Sequence, residues 1–428
     1  MSLNGNGSAS NAPIILVSPD MRPSVMGVAR SLAGAGLLER FVTTLAFDSS
    51  SFGVSGQIIG KKLQRFVRTR SVPSYLKVPV ETFGRGEITR ILASRLLSDI
   101  TCSHVWEWSE TDFDRRVADR WAGKAPVIYG CENASVDTFV RQRARGGRTI
   151  LWQVIAHPQT MDKLIREEYE TFPDAITPYV RHLFQINERV NERKNKQYAN
   201  ADLIVTNSMF SRQTFIDAGF TADQVVGIPT GCPPIQEEES PDSGPMIFLC
   251  AGTQSIRKGI QYLLETWRKL RPGKNAELWL VGKMELPQRL LENLHDNVII
   301  KPSVSKPELK EMFRQASYLV LPTLCEGLAH IVLEAMSAGR GIITTENSGC
   351  GDLVEDGVNG WKVPIRNVDA LADKINWCLE NPKARIEMGG NSLKKAAAWQ
   401  EEDFANTHLN VIRKFLNQEP VPSKALQN

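Results

Sequence analysis

Two glutamates stand out first. The segment Pro322-Thr-Leu-Cys-Glu326-Gly-Leu-Ala-His330-Ile-Val-Leu-Glu334-Ala-Met-Ser-Ala-Gly339 places Glu326 and Glu334 with seven residues between them. A β-rich run ends at Pro322, a turn containing Gly327 follows, and a helix opens near Ala329. Backbone N–H groups at a helix start lack intrahelical acceptors, and the helix dipole there favours an anion. One acid in the turn and a second about two turns along the helix can hold two different polyols. An acid near a helix start is favourable in any helix, so Glu326 also fits a simple capping role. Glu334 is harder to explain that way, because it lies in the apolar stretch 331–338, where a carboxylate is costly without a partner.

A second segment carries cations. Gly252-Thr253-Gln-Ser-Ile-Arg257-Lys258-Gly259 sits between a strand expected over 246–251 and a helix expected over 259–271. Arg supplies a planar fork and Lys a point charge, a pairing suited to a diphosphate. Arg-Lys-Gly also occurs by chance in surface loops. His157 follows the strand expected over 149–155, where a lone histidine is commonly structural. The only Asp-x-Asp pair, Asp112-Phe-Asp114, lies in a stretch of mixed charge (110–120) and reads as a solvated helix face, with no metal site expected. Gly34-Ala-Gly36 follows a helix and lacks the third glycine of a dinucleotide fingerprint. Trp106-Glu-Trp108 reads as packing.

The elements that must position these residues alternate along the whole chain. Apolar runs at 13–18, 41–47, 127–129, 149–155 and 203–206 read as buried strands, with helices expected over 25–38, 87–98 and 183–198. Residues 233–245 are rich in Pro, acid and small polar residues, as in an interdomain linker. The pattern then restarts. Strands are expected at 246–251, 277–281, 297–301, 318–322 and 341–345, and helices at 306–315, 329–338 and 369–380. The alternation implies an α/β fold of two Rossmann-like, doubly wound lobes. The expected division is a tail over 1–11, a first lobe over 12–232, the linker, a second lobe over 246–400, a helix over 401–418 crossing back to the first lobe, and a flexible tail over 419–428. Ligands of such sheets bind beyond the carboxyl ends of the strands, so a cleft faced by both lobes is the expected substrate site.

At this point the chain resembles a family. The Glu-x7-Glu segment and Arg257-Lys258-Gly259 together resemble the retaining glycosyltransferases of family 4, which have the GT-B fold. The likeness extends over Lys301-Pro-Ser-Val-Ser305 and Ser348-Gly-Cys-Gly-Asp-Leu-Val-Glu-Asp-Gly357-Val-Asn-Gly360. In the first half it covers Ala201-Asp-Leu-Ile-Val-Thr-Asn-Ser208-Met-Phe-Ser211 and Ile228-Pro-Thr-Gly231. The resemblance implies that Glu326 sits by the donor sugar and that Glu334 holds the ribose hydroxyls. It implies that the amides of Leu328, Ala329 and His330 face sugar and phosphate, in a donor site that includes Gly252, Thr253 and Gly327. Arg257 and Lys258 would neutralise the leaving diphosphate, Val304 and Ser305 would lie near the base, and His157 would contact the sugar. It further implies transfer from a UDP-, GDP- or ADP-sugar with retention of configuration, by front-face attack and without a metal or other cofactor.

Two departures bear on that reading. Thr253 stands where the family commonly has an arginine, with Arg257 at the other end of the loop to supply the charge. Ser18-Pro-Asp-Met-Arg-Pro-Ser-Val-Met-Gly27 replaces the usual glycine pair after the first strand, so the acceptor is not named. An epimerase of the same fold and a catalytically silent sugar-nucleotide-binding partner are the alternative readings.

Composition sets outer bounds. The chain has 428 residues, 42% hydrophobic and 23% charged, with a net charge of +3, which gives no reason to expect nucleic acid as a partner. Nine cations (Lys61, Lys62, Arg65, Arg68, Arg70, Lys77, Arg85, Arg90, Arg95) but only two acids (Glu81, Glu87) fall within 57–96. That stretch fits a solvated basic face or a peripheral contact with an anionic membrane carrying a lipid-linked acceptor. The seven cysteines are scattered singly, which fits reduced thiols in a cytoplasmic protein. The first eleven residues lack the apolar core of a signal peptide and read as a disordered tail.

Overall fold

The structure, a computed structural model, describes residues 13–48, 67, 69–236 and 244–418. The expected tails, residues 237–243 of the expected linker, and Lys61, Lys62, Arg65 and Arg68 of the basic stretch lie outside the described residues. The chain forms two compact units. The first gathers Met1–Gln153, Pro178–Val205 and Ala405–Asn428, the second Val154–Thr177 and Thr206–Phe404, as far as each is described.

The first unit is built on β1 (Ile14–Val17), β2 (Leu38–Thr43), β3 (Phe47–Asp48), β4 (Ser71–Val72), β5 (Val80–Thr82), β6 (Val127–Cys131), β7 (Arg148–Gln153) and β8 (Leu203–Thr206). Its main strands lie in the order β5-β2-β1-β6-β7-β8, while β3 and β4 form a separate pair. All four residues of β1 are fully buried, as a strand flanked by helices on both faces requires. The helix Glu401–Leu416 enters this unit at its C-terminal part. There Arg148 donates to the Phe415 carbonyl at 2.7 Å and lies 3.6 Å over its ring, and His408 stands 5.2 Å from Trp152. The crossing expected of this helix is therefore present.

The second unit contains the short β9 (Val225–Gly227) and a sheet of β10 (Met246–Ala251), β11 (Ala276–Val281), β12 (Val298–Lys301), β13 (Tyr318–Leu321), β14 (Gly341–Thr344) and β15 (Gly360–Lys362). The order is β12-β11-β10-β13-β14-β15, and every pairing is parallel. Phe248 stacks on Tyr318 at 5.6 Å across β10 and β13 and meets Trp267 of the helix Ile260–Leu270 edge-on. Both units are thus parallel-sheet, Rossmann-like domains, as the alternation of elements predicts.

Each sheet reverses its winding once. In the first unit β2 and β5 lie on one side of β1, and β6, β7 and β8 on the other. In the second unit β11 and β12 flank β10, whereas β13, β14 and β15 run the opposite way. At such a reversal the loops leaving the two central strands part in opposite directions and open a crevice. The crevices therefore fall after β1 and β6, and after β10 and β13.

Three local expectations are corrected. Asp114 is not on a solvated face but fully buried, accepting from the backbone N–H groups of Asp137 (2.8 Å) and Thr138 (3.0 Å) at the start of the helix Val136–Ala144. Trp106 and Trp108 are 50% and 42% exposed rather than packed, with Arg90 stacked 4.2 Å over the Trp106 ring. Arg70 and Arg90 are not free members of a basic face, because both pair with the buried Glu87.

Candidate active site

The second unit's crevice is assembled from two loops. After β10 the backbone turns at Gly252, whose φ of +119° is a conformation that side chains resist. The Gln254 side-chain amide donates to the carbonyls of Gly252 (2.8 Å) and Val281 (3.1 Å), fixing that turn against the end of β11. A single 3₁₀ turn, Ile256–Lys258, then presents Arg257 and Lys258, and Gly259 in the left-handed region (φ +70°) starts the following helix. Gly259 has no alternative residue, since a Cβ there would stand 2.0 Å from the Pro322 carbonyl oxygen.

The loop after β13 is stitched to the first. Leu324 N–H (2.9 Å) and Thr323 Oγ1 (3.2 Å) both donate to the Arg257 carbonyl. Glu326 N–H donates to the Asn347 carbonyl at 2.8 Å, and Asn347 returns a bond from its side chain to the Leu324 carbonyl. Gly327 lies flat against the Val154 carbonyl, 1.8 Å from where a Cβ would be, and its own carbonyl accepts from Ser208 Oγ (2.6 Å) and Ser211 Oγ (3.2 Å).

This stitching brings three of the four charged residues singled out in the sequence, Arg257, Lys258 and Glu326, into direct contact. The Glu326 carboxylate accepts from both Arg257 Nη1 and Lys258 Nζ, and the same Arg257 nitrogen donates to the Cys325 carbonyl at 2.8 Å. Lys258 and Glu326 are mostly buried, whereas Arg257 keeps 39% of its side chain exposed. Two cations on one oxygen make an anion-sized locus of positive charge, held by a carboxylate that a stronger anion can displace.

The remaining predicted residues fall around it. Glu334 is half-buried on the helix His330–Ser337, and burial raises its carboxyl, with Lys306 acting in the opposite sense. Lys306 was missed in the sequence, although Ser305-Lys-Pro-Glu308 marks a helix start. Ser305 forms a capping box there, accepting from Glu308 N–H and donating its own N–H to the Glu308 carboxylate at 2.7 Å. Half-buried Val304 packs on the sheet's core. Leu328 is buried and His330 exposed. The Ala329 N–H, expected to face sugar and phosphate, instead donates to the Ser348 carbonyl at 2.9 Å. Thr253 is half-buried beside Gly252.

His157 belongs to this same unit and is buried. Its Nδ1 accepts from Gln159 N–H at 3.3 Å and caps the helix Pro158–Thr171, which leaves Nε2 as the protonated nitrogen. Its backbone N–H donates to Thr214 Oγ1 and its ring meets Phe215 edge-on at 4.9 Å. That helix is anchored by the buried Glu168, which accepts from Gln261, Tyr262 and Arg366 at 2.8, 2.9 and 2.5 Å.

The first unit's crevice is also polar. After β1 stand Ser18 and the Asp20–Arg22 ion pair, and β6 ends at Cys131 with Glu132 following. Glu132 pairs with Lys194 at 2.9 Å, both nearly buried, and burial pushes the Cys131 thiol up to about 12. Nearby, burial lifts the Glu110 carboxyl to about 7, against a hydrogen bond from Trp106. Glu132, Lys194 and Glu110 carry no motif that sequence reasoning could have used. They meet only because β6 and two helices converge.

Comparison with known proteins narrows the chemistry of the second unit. Residues 245–381 match the family described as glycosyl transferases group 1. This stretch runs from the start of β10 through the Arg257–Lys258 loop and both glutamates. Within the wider chain, 170 residues (38%) are 27% identical to an alpha-D-kanosaminyltransferase of Streptomyces kanamyceticus, over 44% of that protein, so less than half its length is matched. A longer match of 379 residues is 25% identical to an MMP alpha-(1->4)-mannosyltransferase of Mycolicibacterium hassiacum, covering 85% of this chain and 90% of that one. Anabaena HepE, solved in complex with UDP and glucose, is similar in fold at a TM-score of 0.59 and 16% identity, over 94% of this chain and 100% of HepE. The group 1 match and this likeness agree with a GT-B fold.

Among the described residues no group of three or more His, Cys, Asp or Glu side chains could hold a metal ion, and no helix is long and apolar enough to cross a membrane.

Proposed function

We propose that this chain is a glycosyltransferase that moves a sugar from a nucleotide-sugar donor to a hydroxylated acceptor with retention of configuration, in the manner of family 4. The observation that carries the reading is the convergence of Arg257 and Lys258 on Glu326 at the second unit's sheet reversal, inside the group 1 match. Cleavage of a glycosyl–phosphate bond leaves negative charge on the departing diphosphate. Fixed cations aimed at that charge lower the barrier, typically by a few kcal/mol per preorganised donor.

In this reading the diphosphate takes the place of the Glu326 carboxylate on the two cations. Glu326 then turns to the sugar it has been released to meet, and Glu334 accepts from the ribose hydroxyls. Its raised carboxyl fits a group short of partners until a ligand arrives. With two cations on the leaving group the reaction has no need of a divalent ion, and the departing phosphate takes the acceptor's proton in a front-face attack. Relatives named as kanosaminyl- and mannosyltransferases support hexose transfer. The acceptor belongs with the first unit's crevice. Its cations are already paired with Asp20 and Glu132, which suits a neutral polyol better than a phosphate.

The test is release of nucleoside diphosphate from UDP-, GDP- and ADP-sugars, with and without EDTA, followed by NMR of the product's anomeric configuration. One donor is expected to react, with EDTA without effect. Lys258→Ala and Arg257→Ala should each weaken nucleoside diphosphate binding roughly tenfold, about 1.4 kcal/mol. Unchanged affinity in both variants would remove the phosphate assignment, an inverted product would remove retention, and loss with EDTA restored by manganese would remove metal independence.

A further inference from the structure

The helix Arg85–Leu96 presents the wrong face to water. Its buried residues are Gly86, Glu87 and Ala93. The small ones let it lie close on the helix Asp99–Trp121: a Cβ on Gly86 would stand 2.6 Å from Ser109 Oγ, and Cys102 Sγ lies 3.4 Å from the Ala93 carbonyl. At about 100° per residue the opposite face carries Arg85, Ile88, Leu92, Arg95 and Leu96. Ile88, Leu92 and Leu96 are 51%, 55% and 78% exposed, and Leu97 after them 48%. A surface helix ordinarily turns such residues inward.

The charge on this face decides what covers it. It displays the exposed Arg85 and Arg95 and no acid, because the helix's one acid, Glu87, is buried between Arg70 and Arg90. A symmetric contact between two copies of the face would oppose arginine to arginine with nothing to neutralise them. Aliphatic side chains interleaved with arginines suit the boundary between anionic headgroups and acyl chains. The sequence upstream has the same bias: residues 49–68 contain Lys61, Lys62, Arg65 and Arg68 and no acid. Arg70, which follows that stretch in the sequence, pairs with Glu87 of the helix at 2.8 Å.

We propose that the exposed face of Arg85–Leu96 docks on an anionic membrane surface, with Ile88, Leu92 and Leu96 entering the interface and Arg85 and Arg95 on lipid phosphates. This is independent of the donor site, which lies in the other unit.

The experiment is co-sedimentation of the full chain with phosphatidylcholine vesicles, with and without phosphatidylglycerol. Binding is expected only with phosphatidylglycerol and should weaken as salt rises. The triple variant Ile88→Ser/Leu92→Ser/Leu96→Ser should lose roughly tenfold or more in partition, as the loss of three buried aliphatic chains implies. Arg85→Glu/Arg95→Glu should lose binding as well, while Ile386→Ser, an equally exposed apolar residue elsewhere, should not. Nucleoside diphosphate binding checks that each variant is folded; should the triple variant fail that check, the arginine pair decides. No binding of the unaltered chain, or equal binding by the variants, overturns the proposal. So does a triple variant that turns an oligomer into a monomer, since a second copy would then be the occupant.

Discussion

Glu326 is held by Arg257 and Lys258; on the proposed reading these are the cations a diphosphate would take, and Glu326 would act as an internal competitor in the absence of donor. Removing its charge while keeping its shape should therefore separate binding from turnover. Glu326→Gln is expected to bind free nucleoside diphosphate several-fold more tightly, because Arg257 and Lys258 no longer have a carboxylate to exchange. The same variant should lose roughly a hundredfold or more in turnover, since the side chain can no longer serve the sugar's reacting centre as an anion. Calorimetry with UDP or GDP, beside a rate measurement with the reacting donor, checks both. Weaker binding in Glu326→Gln would show that the carboxylate orients the cations rather than competing for the ligand. At this scale the sequence was informative where residue type and spacing coincide: the two glutamates, Arg257 and Lys258 are all found in one unit. It was uninformative for Lys306 and for Glu132 with Lys194, which are distant in sequence from the groups they face and lie in no motif.

Elements decide whether those residues meet. Loops after β10 and β13 are locked to each other through backbone groups, and Gly259 is the narrowest point of the lock. Gly259→Ala combines a left-handed backbone (φ +70°) with a Cβ 2.0 Å from the Pro322 carbonyl oxygen. The expected cost is more than about 2 kcal/mol, as the backbone strain and the clash add. Because Arg257 and Lys258 immediately precede this residue, nucleotide binding should fall with stability, whereas Gly273→Ala, also at positive φ but in open space, should cost only the strain and leave binding intact. Chemical denaturation with a nucleotide titration on each variant measures the pair. Strands and helices were readable from apolar runs and Gly/Pro punctuation, because a buried parallel strand leaves a continuous signature. Caps were not. The buried Asp114 looked like half of a solvated Asp-x-Asp, since the N–H groups that donate to it lie 23 and 24 residues along the chain. The helix expected over 87–98 is present as Arg85–Leu96, but which of its faces is buried is set by its packing on Asp99–Trp121, which the sequence does not show.

At the scale of the molecule, one sheet design occurs twice, each copy with a reversal and a polar crevice at the strand ends. The sequence disclosed the repetition through its restart near residue 246. It did not disclose that residues 154–177 and 206–236 join the second unit, because that is settled by packing of side chains such as Glu168 and Ser208. The two crevices differ in chemistry. Only the second gathers cations on a displaceable carboxylate; in the first, each cation is paired with its own acid. A nucleoside diphosphate should therefore act on one copy alone. Hydrogen exchange followed by mass spectrometry is expected to show ligand-induced protection in peptides covering 252–260, 301–308 and 322–337. Peptides covering 18–22 and 131–133 of the first unit should be unchanged. Protection arises where binding lowers the population of locally opened states, so it maps the energetic footprint of the ligand rather than its mere proximity. If the first unit's peptides were protected to the same degree, a diphosphate site would have to be assigned to its Arg22 or Lys194. If 322–337 stayed unprotected while 252–260 was covered, the ligand would touch the cations without reaching the helix that carries Glu334, and the ribose assignment would fail.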